Sequence, residues 1–207
     1  MKELENKDSR IRVIGSKANH GLGYALNQCI ASARGKYLAR MDADDISHPK
    51  RFEEEISFLK DHPEYMWCGT NCKLVDDRGI WGEGVRPEEP GTDDYLKYSP
   101  YIHPTVMYRA SLFKKVAGYD EGKKTARCED YELFMRLFGL GYKGYNIQKC
   151  LLDYRVVPGK LITIGHGKTG FMKARCVTKD FVVLESSGRK AGSIFFVRWS
   201  ADLYRPA

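Results

Sequence analysis

Three carboxylates crowd into four positions at Asp42, Asp44 and Asp45, directly after the run Tyr37-Leu38-Ala39. Like charges this close repel one another, so a cation is their natural partner. Carboxylates at i and i+2 with no thiol beside them favour a hard ion that also holds phosphate oxygens, Mg²⁺ or Mn²⁺. Taken alone, the same acids equally suit a solvated turn that caps a helix.

Their place in the chain gives them a setting. Lys36 to Met41 reads as a strand, and Ser47-His48-Pro49 as the opening of a helix over 47–60 with Ser47 as its cap. Phe52, Ile56 and Leu59 share a face of that helix. Acids between a strand end and a helix start lie at the carboxyl edge of a sheet, where open α/β folds bind ligands. Upstream, Arg10 to Ile14 alternates as a short strand. Leu22, Ala25, Leu26, Cys29, Ile30 and Ala33 then mark one face of a helix that Gly35 stops. Residues 10–41 thus read as a β-α-β unit, which implies a parallel sheet. Downstream, 66–72 and 73–75 are strand material ending in the turn Asp76-Asp77-Arg78-Gly79. From Trp81 to Tyr101 the pattern dissolves into Gly, Pro, acids and aromatics, and a loop that long is usually functional or mobile. Strands are expected over 105–108, 145–148 and 151–156, and helices over 111–117 and 130–138, the last with Leu133, Phe134 and Leu137 inward.

The chain of 207 residues is long enough for one domain with a proper core, and 43% hydrophobic with 29% charged residues is ordinary for a globular protein. No apolar run approaches the roughly 20 residues of a membrane-spanning helix. The opening MKELENKDSR is too charged for a signal peptide. Six cysteines without a C-x-x-C pair point to reduced thiols and a cytoplasmic setting. The net charge of +7 belongs to the tail: residues 155–207 hold ten Lys and Arg against three Asp and Glu, while 1–154 are balanced. An anionic membrane surface, a nucleic acid, an anionic substrate or plain solvation could each account for it. Phe171 to Leu184 is expected as a helix of that tail, and Ile194 to Trp199 as an apolar–basic patch.

Several segments follow one another in order: N-x-G-L-G-x-A-L-N (19–27), G-K-Y-L-A-R-M-D-A-D-D (35–45), P-x-R-F-E (49–53), H-P-T-V-M-Y-R (103–109), V-A-G-Y-D-E (116–121), E-D-Y-E-L-F-M-R-L (129–137) and L-L-D-Y-R-V (151–156). Over about residues 10 to 157 this series resembles glycosyltransferase family 2, inverting enzymes of bacterial polysaccharide synthesis. The ordered set is far more specific than any one member. The resemblance implies a GT-A (Rossmann-like) α/β fold, a mixed but mainly parallel sheet flanked by helices. Residues 1–157 would form this domain and 158–207 a helical basic extension.

By the same resemblance, Asp42 would lie near the ribose of a nucleotide-sugar donor and Asp44 would ligate a divalent Mn²⁺ or Mg²⁺ bridging its diphosphate. Glu129 and Asp130 match the acceptor-side acidic pair, with Asp130 as general base. A leaving diphosphate needs its developing charge neutralised, and an attacking hydroxyl needs its proton taken, so the residue types fit. Taken alone, outside the series, Asp130 reads as a helix N-terminal acid favoured by the helix dipole. Asn19 joins the donor-binding set. His103 could touch metal, diphosphate or acceptor, or merely end a strand. Arg155 could meet the diphosphate or pair with a core acid. Trp81 and Tyr101 suit stacking on an acceptor sugar, or packing down their loop. A saccharide or lipid-linked acceptor is implied, with a peripheral seat at the inner face of the membrane and no nucleic acid.

One departure stands out. The family opens with an apolar strand that binds the nucleotide, a helix and a second strand ending in acids, whereas only nine residues precede Arg10 here. Two βα units, roughly 60 residues at about 30 per unit, are therefore expected to be missing. An inactive remnant, or a membrane-associated accessory protein of polysaccharide assembly, is the alternative reading. Two other readings of the acid turn fit less well. An EF-hand would place Ile46 and Ser47 at its fifth and sixth loop positions, where a ligand and a glycine belong. A haloacid-dehalogenase-like phosphohydrolase, with Asp42 as nucleophile, finds only Asp76-Asp77 as a later acid pair.

Overall fold

A computed structural model describes residues 2–16, 18–156, 181–186 and 194–197. In chain order the elements are α1 (Lys2–Lys7), β1 (Ile11–Ile14), α2 (Leu22–Ser32), β2 (Tyr37–Asp42), β3 (Ile46–Ser47), α3 (Arg51–Asp61), β4 (Tyr65–Asp76), β5 (Gly79–Gly84), α4 (Thr92–Lys97), β6 (Met107–Arg109), α5 (Glu129–Gly139), β7 (Lys143–Arg155), β8 (Phe181–Ser186) and β9 (Ile194–Val197). Short 3-10 turns at His103–Thr105 and Leu112–Lys114 flank β6.

The strands form one sheet in the order β1-β9-β8-β2-β6-β4-β7-β3, with β5 hydrogen-bonded to β4. The sheet is mixed, as expected, but not mainly parallel. Only β1–β9 and β4–β7 are parallel among the described pairings, and the other six are antiparallel. The unit over 10–41 forms its strand, helix and strand, yet β8 and β9 lie between β1 and β2. The helix expected over 171–184 is also corrected. Residues 181–184 are strand, paired with β2 from Leu184 against Ala39 to Phe181 against Asp42. Phe181-Val182-Val183 is a β-branched and aromatic run, whose side chains suit a pleated surface better than a helix. Residues 171–180 lie outside the described part. Ile194–Val197, expected within a surface patch, pairs along β1 and β8 in the same sheet.

Other differences have local causes. The helix after the acid turn starts at Arg51, not at Ser47. Ser47 pairs with Leu152 in β3, and His48 precedes Pro49, whose ring disfavours helical backbone at the residue before it. The 81–101 segment is not a structureless loop. It carries most of β5, in a hairpin with β4 whose turn needs Gly79 at φ +118, and α4, where Asp94 accepts the Gly91 N–H at 2.9 Å.

Side-chain alternation divides the core between two faces of the sheet. Leu38, Trp67 and Tyr108 pack with Leu26 of α2 and with Leu133, Phe134 and Leu137 of α5. Their neighbours Tyr37, Ala39, Cys68 and Met107 pack on the other face with Leu59, and with Phe52 and Ile56, of α3. By the period of two, Arg40 and Asp42 share the Leu38 face, which is the face that α5 covers. Among the described residues no helix is long and apolar enough to cross a membrane.

Candidate functional site

The end of β2 is built around a buried ion pair. The Arg40 guanidinium donates one hydrogen bond, from Nη1 to Asp42 Oδ2 at 3.0 Å, and its Nη2 lies 2.7 Å from Oδ1 as an ion contact that makes no hydrogen bond; the side chains are 7% and 6% exposed. One charge-assisted hydrogen bond beside a second close ion contact sets the orientation of the carboxylate as well as its counter-charge. From the opposite face, Arg51 of α3 donates to the Arg40 carbonyl at 2.8 Å and is itself paired with Glu55 at 3.0 Å. Both members of that second pair are fully buried. Burial pushes the Glu55 carboxyl up to about 7, against the pull of Arg51. Asp45 closes the turn: its N–H reaches the Asp42 carbonyl at 3.3 Å, and its carboxylate accepts the Arg155 N–H of β7 at 2.9 Å. Asp44 sits half-buried in the turn between β2 and β3.

The second acidic group starts α5 with Glu129 and Asp130, where the helix dipole favours negative charge. Burial raises the Asp130 carboxyl above its ordinary range, while the Tyr131 N–H, the charge of Arg40 and the Ser99 hydroxyl oppose the rise. The Ser99 hydroxyl lies 3.5 Å from Asp130 Oδ2. Glu129 is buried, and burial raises it too. Arg127, just before the helix, holds a left-handed backbone at φ 75, which only a few per cent of non-glycine residues adopt.

Two glycine-containing segments brace this face. Asn27 of α2 donates to the Tyr119 carbonyl at 2.9 Å and accepts its N–H at 2.8 Å. A Cβ on Gly118 would collide with the Asn27 amide, and one on Gly23 would come within 2.5 Å of the Asp120 carbonyl. Tyr119, so fixed, meets Nε2 of His103 at 2.8 Å and the Tyr108 hydroxyl at 3.4 Å. Burial, aided by the charge of Arg40, holds His103 well below its ordinary pKa, so the ring is neutral.

Arg40 links three of the expected residues, Asp42 by contact and Asp130 and His103 by its charge, with Glu129 next to Asp130 at the start of α5 and Asp44 in the turn that follows β2. The structure treats the remaining residues differently. Asn19 is exposed and accepts the Gly21 N–H at 3.1 Å, shaping the turn before α2. The Arg155 side chain pairs with Asp77 at 2.6 Å beside the β4–β5 hairpin, so its backbone, not its guanidinium, meets the acid turn. Trp81 is 47% exposed and donates to the Val156 carbonyl at 3.1 Å. Tyr101 corrects the expectation of an acceptor-stacking surface ring. It is 2% exposed, packed edge-on to Trp67 and tilted against Phe134, because the segment folds back into the core.

Among the described residues no three His, Cys, Asp or Glu side chains group to hold a metal. Asp42 faces Arg40, Asp45 faces β7, and His103 faces Tyr119. The turn therefore fits an ion that arrives with its own phosphate ligands, since Mg²⁺ commonly takes one or two carboxylates plus substrate phosphates.

Arg40, the Arg51–Glu55 pair and Ser99 are absent from the sequence reading. Arg40 had a signal, a cation two residues before Asp42 inside an otherwise apolar strand. Arg51 and Glu55 had the i, i+4 spacing of a helical ion pair, but nothing local shows that they are buried. Ser99 had none.

The family model for glycosyl transferase family 2 matches residues 1–120. EpsE of Bacillus subtilis strain 168, which bears a glycosyltransferase name, is 38% identical over 146 residues, 70% of this chain and 52% of that protein. The amylovoran biosynthesis glycosyltransferase AmsE of Erwinia amylovora is 30% identical over 147 residues, 69% of this chain and 53% of that protein. The crystal structure of S. aureus TarS 1-349 in complex with UDP superposes with a TM-score of 0.56 at 20% identity, over 76% of this chain and 46% of that one. That likeness is one of fold, and it agrees with the GT-A expectation. The chain spans about half the length of the curated relatives it matches. With a family model over more than half of its residues and a relative of 38% identity, this chain belongs to glycosyl transferase family 2.

Proposed function

We propose that this chain carries out, or supplies the metal–diphosphate and base half of, inverting sugar transfer from a nucleotide-sugar to a saccharide or lipid-linked acceptor in cell-surface polysaccharide synthesis. The observation that carries the reading is the pairing of two acidic groups on one sheet face. The Asp42–Asp45 turn ends β2, Asp130 starts α5, and buried Arg40 acts on both. Names of relatives with polysaccharide roles support the acceptor class, and TarS with UDP supports a uridine donor.

Asp42 would orient a donor hydroxyl, and Asp44 would hold a divalent cation with the diphosphate. Such an ion supplies charge neutralisation as the nucleoside diphosphate leaves. The carboxylate of Asp130 accepts the proton of the acceptor hydroxyl as that oxygen attacks C1 from the face opposite the leaving group, inverting the anomeric centre. Its raised pKa makes it a better base than an exposed aspartate. Glu129, buried beside it, braces the helix start. Trp81, exposed on β5, would stack on an acceptor sugar. The basic tail would set the chain at an anionic inner membrane surface, near lipid-linked acceptors.

Calorimetry with UDP tests the donor half. Binding should require Mn²⁺ or Mg²⁺, and Asp44→Asn should abolish that requirement together with most of the affinity. Equal metal-dependent UDP binding by native chain and Asp44→Asn would overturn the assignment.

A further inference from the structure

We propose that Arg40 is a positioning residue of the donor site: its buried guanidinium clamps Asp42 through one hydrogen bond and a second close ion contact and supplies the positive charge there, leaving the divalent ion to Asp44 and the donor diphosphate. This rests on reading the acid turn as the donor site. Both Asp42 oxygens lie within 3.0 Å of the Arg40 fork, and both side chains are almost wholly buried. The clamp is itself anchored, because Arg51 holds the Arg40 carbonyl at 2.8 Å and Glu55 holds Arg51. Two buried ion pairs in series thus tie α3, through the backbone of β2, to the orientation of one carboxylate.

The chemistry follows from the partner chosen. An arginine is never deprotonated in a protein, so it is a permanent cation with a fixed fork. A metal ion approaching Asp42 must break a charge-assisted pair in a buried site. A carboxylate has about four lone-pair positions, so Asp42 can still accept a ligand hydroxyl in the one orientation the clamp leaves it. Metal should therefore bind poorly by itself and well only with the diphosphate.

Calorimetry on the full chain, with Mn²⁺ alone and with UDP plus Mn²⁺, tests this in native protein, Arg40→Gln and Arg40→Lys. In Arg40→Gln, Asp42 joins Asp44, so Mn²⁺ alone should bind about tenfold tighter and UDP–Mn²⁺ about tenfold weaker, the weight of one charged hydrogen-bonded partner. General loss of structure would weaken both. Arg40→Lys keeps the charge without the fork, so Mn²⁺ alone should stay weak while UDP–Mn²⁺ weakens. A folded Arg40→Gln protein that binds Mn²⁺ alone no tighter than native overturns the proposal. If native chain fails to bind UDP–Mn²⁺, the donor reading falls, while the Mn²⁺-alone comparison still judges the clamp. Should neither variant fold, the guanidinium protons of Arg40 in native chain decide by NMR. They should exchange slowly with or without Mg²⁺, and fast exchange on adding Mg²⁺ alone would show the clamp opening for a metal.

Discussion

Asp42 and Asp130 lie on the same face of one sheet but are held in different ways. Asp42 ends a buried strand and is gripped by Arg40 at 2.7 and 3.0 Å. Asp130 starts a helix, is half-buried, and has backbone N–H groups and a long Ser99 contact in place of a direct ion pair. The first arrangement suits a group that must stay charged and point one way. The second suits a group that must exchange a proton, because burial lifts its affinity for one while nearby donors and Arg40 keep the anion accessible. Both carboxylates feel the same arginine, one by contact and one by its field.

The largest effect should come from the proton-exchanging side. Asp130→Asn should lower sugar transfer, followed as UDP release, by about 10²- to 10⁴-fold, with UDP affinity little changed. Near-normal turnover in a folded variant would reduce Asp130 to a helix-terminal acid and erase the contrast. Next is the anchored side. Arg51→Met leaves Glu55 a buried, protonated carboxyl without its partner and removes the donor to the Arg40 carbonyl, so urea denaturation should show a loss of about 1–3 kcal/mol. Hydrogen exchange should place the loosening in β2 and α3 before α5. Uniform loosening would mean that the two sides are not separately held.

Glu55 also gives the anchored side a pH signature. Its folded pKa, about 7, lies above its ordinary 4.5, so the folded chain keeps a proton that the unfolded chain has released. Stability should therefore fall as pH rises from about 4.5 through about 7, by at most about 1.4 kcal/mol per pH unit, and level off above that window. Glu55→Gln should flatten the slope, and a slope that persists in that variant would assign it to another group. The smallest effect belongs to Ser99→Ala. It removes a 3.5 Å contact that helps lower the Asp130 pKa, so the acidic limb of the transfer profile should move to higher pH. The turnover lost near neutral pH should stay under about tenfold, in line with about 0.5–1.5 kcal/mol for a hydrogen bond. An acidic limb that does not move would separate Ser99 from the base.

Much of this could be read from the chain alone, and the part that could not has a common cause. The periodic face of α2, the inward Leu133, Phe134 and Leu137 of α5, and the acids at the end of β2 all came from local spacing. Spacing reports which side of an element is apolar, but not what lies against it. Tyr101 and its neighbour Tyr95 looked like loop aromatics because their segment has no period, yet both are 2% exposed. Arg155 could be read as a ligand for phosphate or as the partner of an acid, and the acid it meets is Asp77, 78 residues away in sequence.

By itself the sequence determined the family, through the order of its motifs, and the carboxylates that any mechanism must use. It determined where strand gives way to turn at Asp42, since the apolar-rich run ends and the acids cluster there. Only the tertiary structure decided that Asp42 answers to Arg40, that α3 reaches through the sheet backbone to hold that pair, and that Asn27 fixes Tyr119 across 92 residues. It also decided that β8 and β9 stand between β1 and β2. Apart from the Arg40–Asp42 pair, which lies within one strand, these contacts are set by which elements stack and pair rather than by any local pattern. The raised proton affinity of Glu55, Glu129 and Asp130 follows from how the elements pack, because burial disfavours the charged form of a carboxyl.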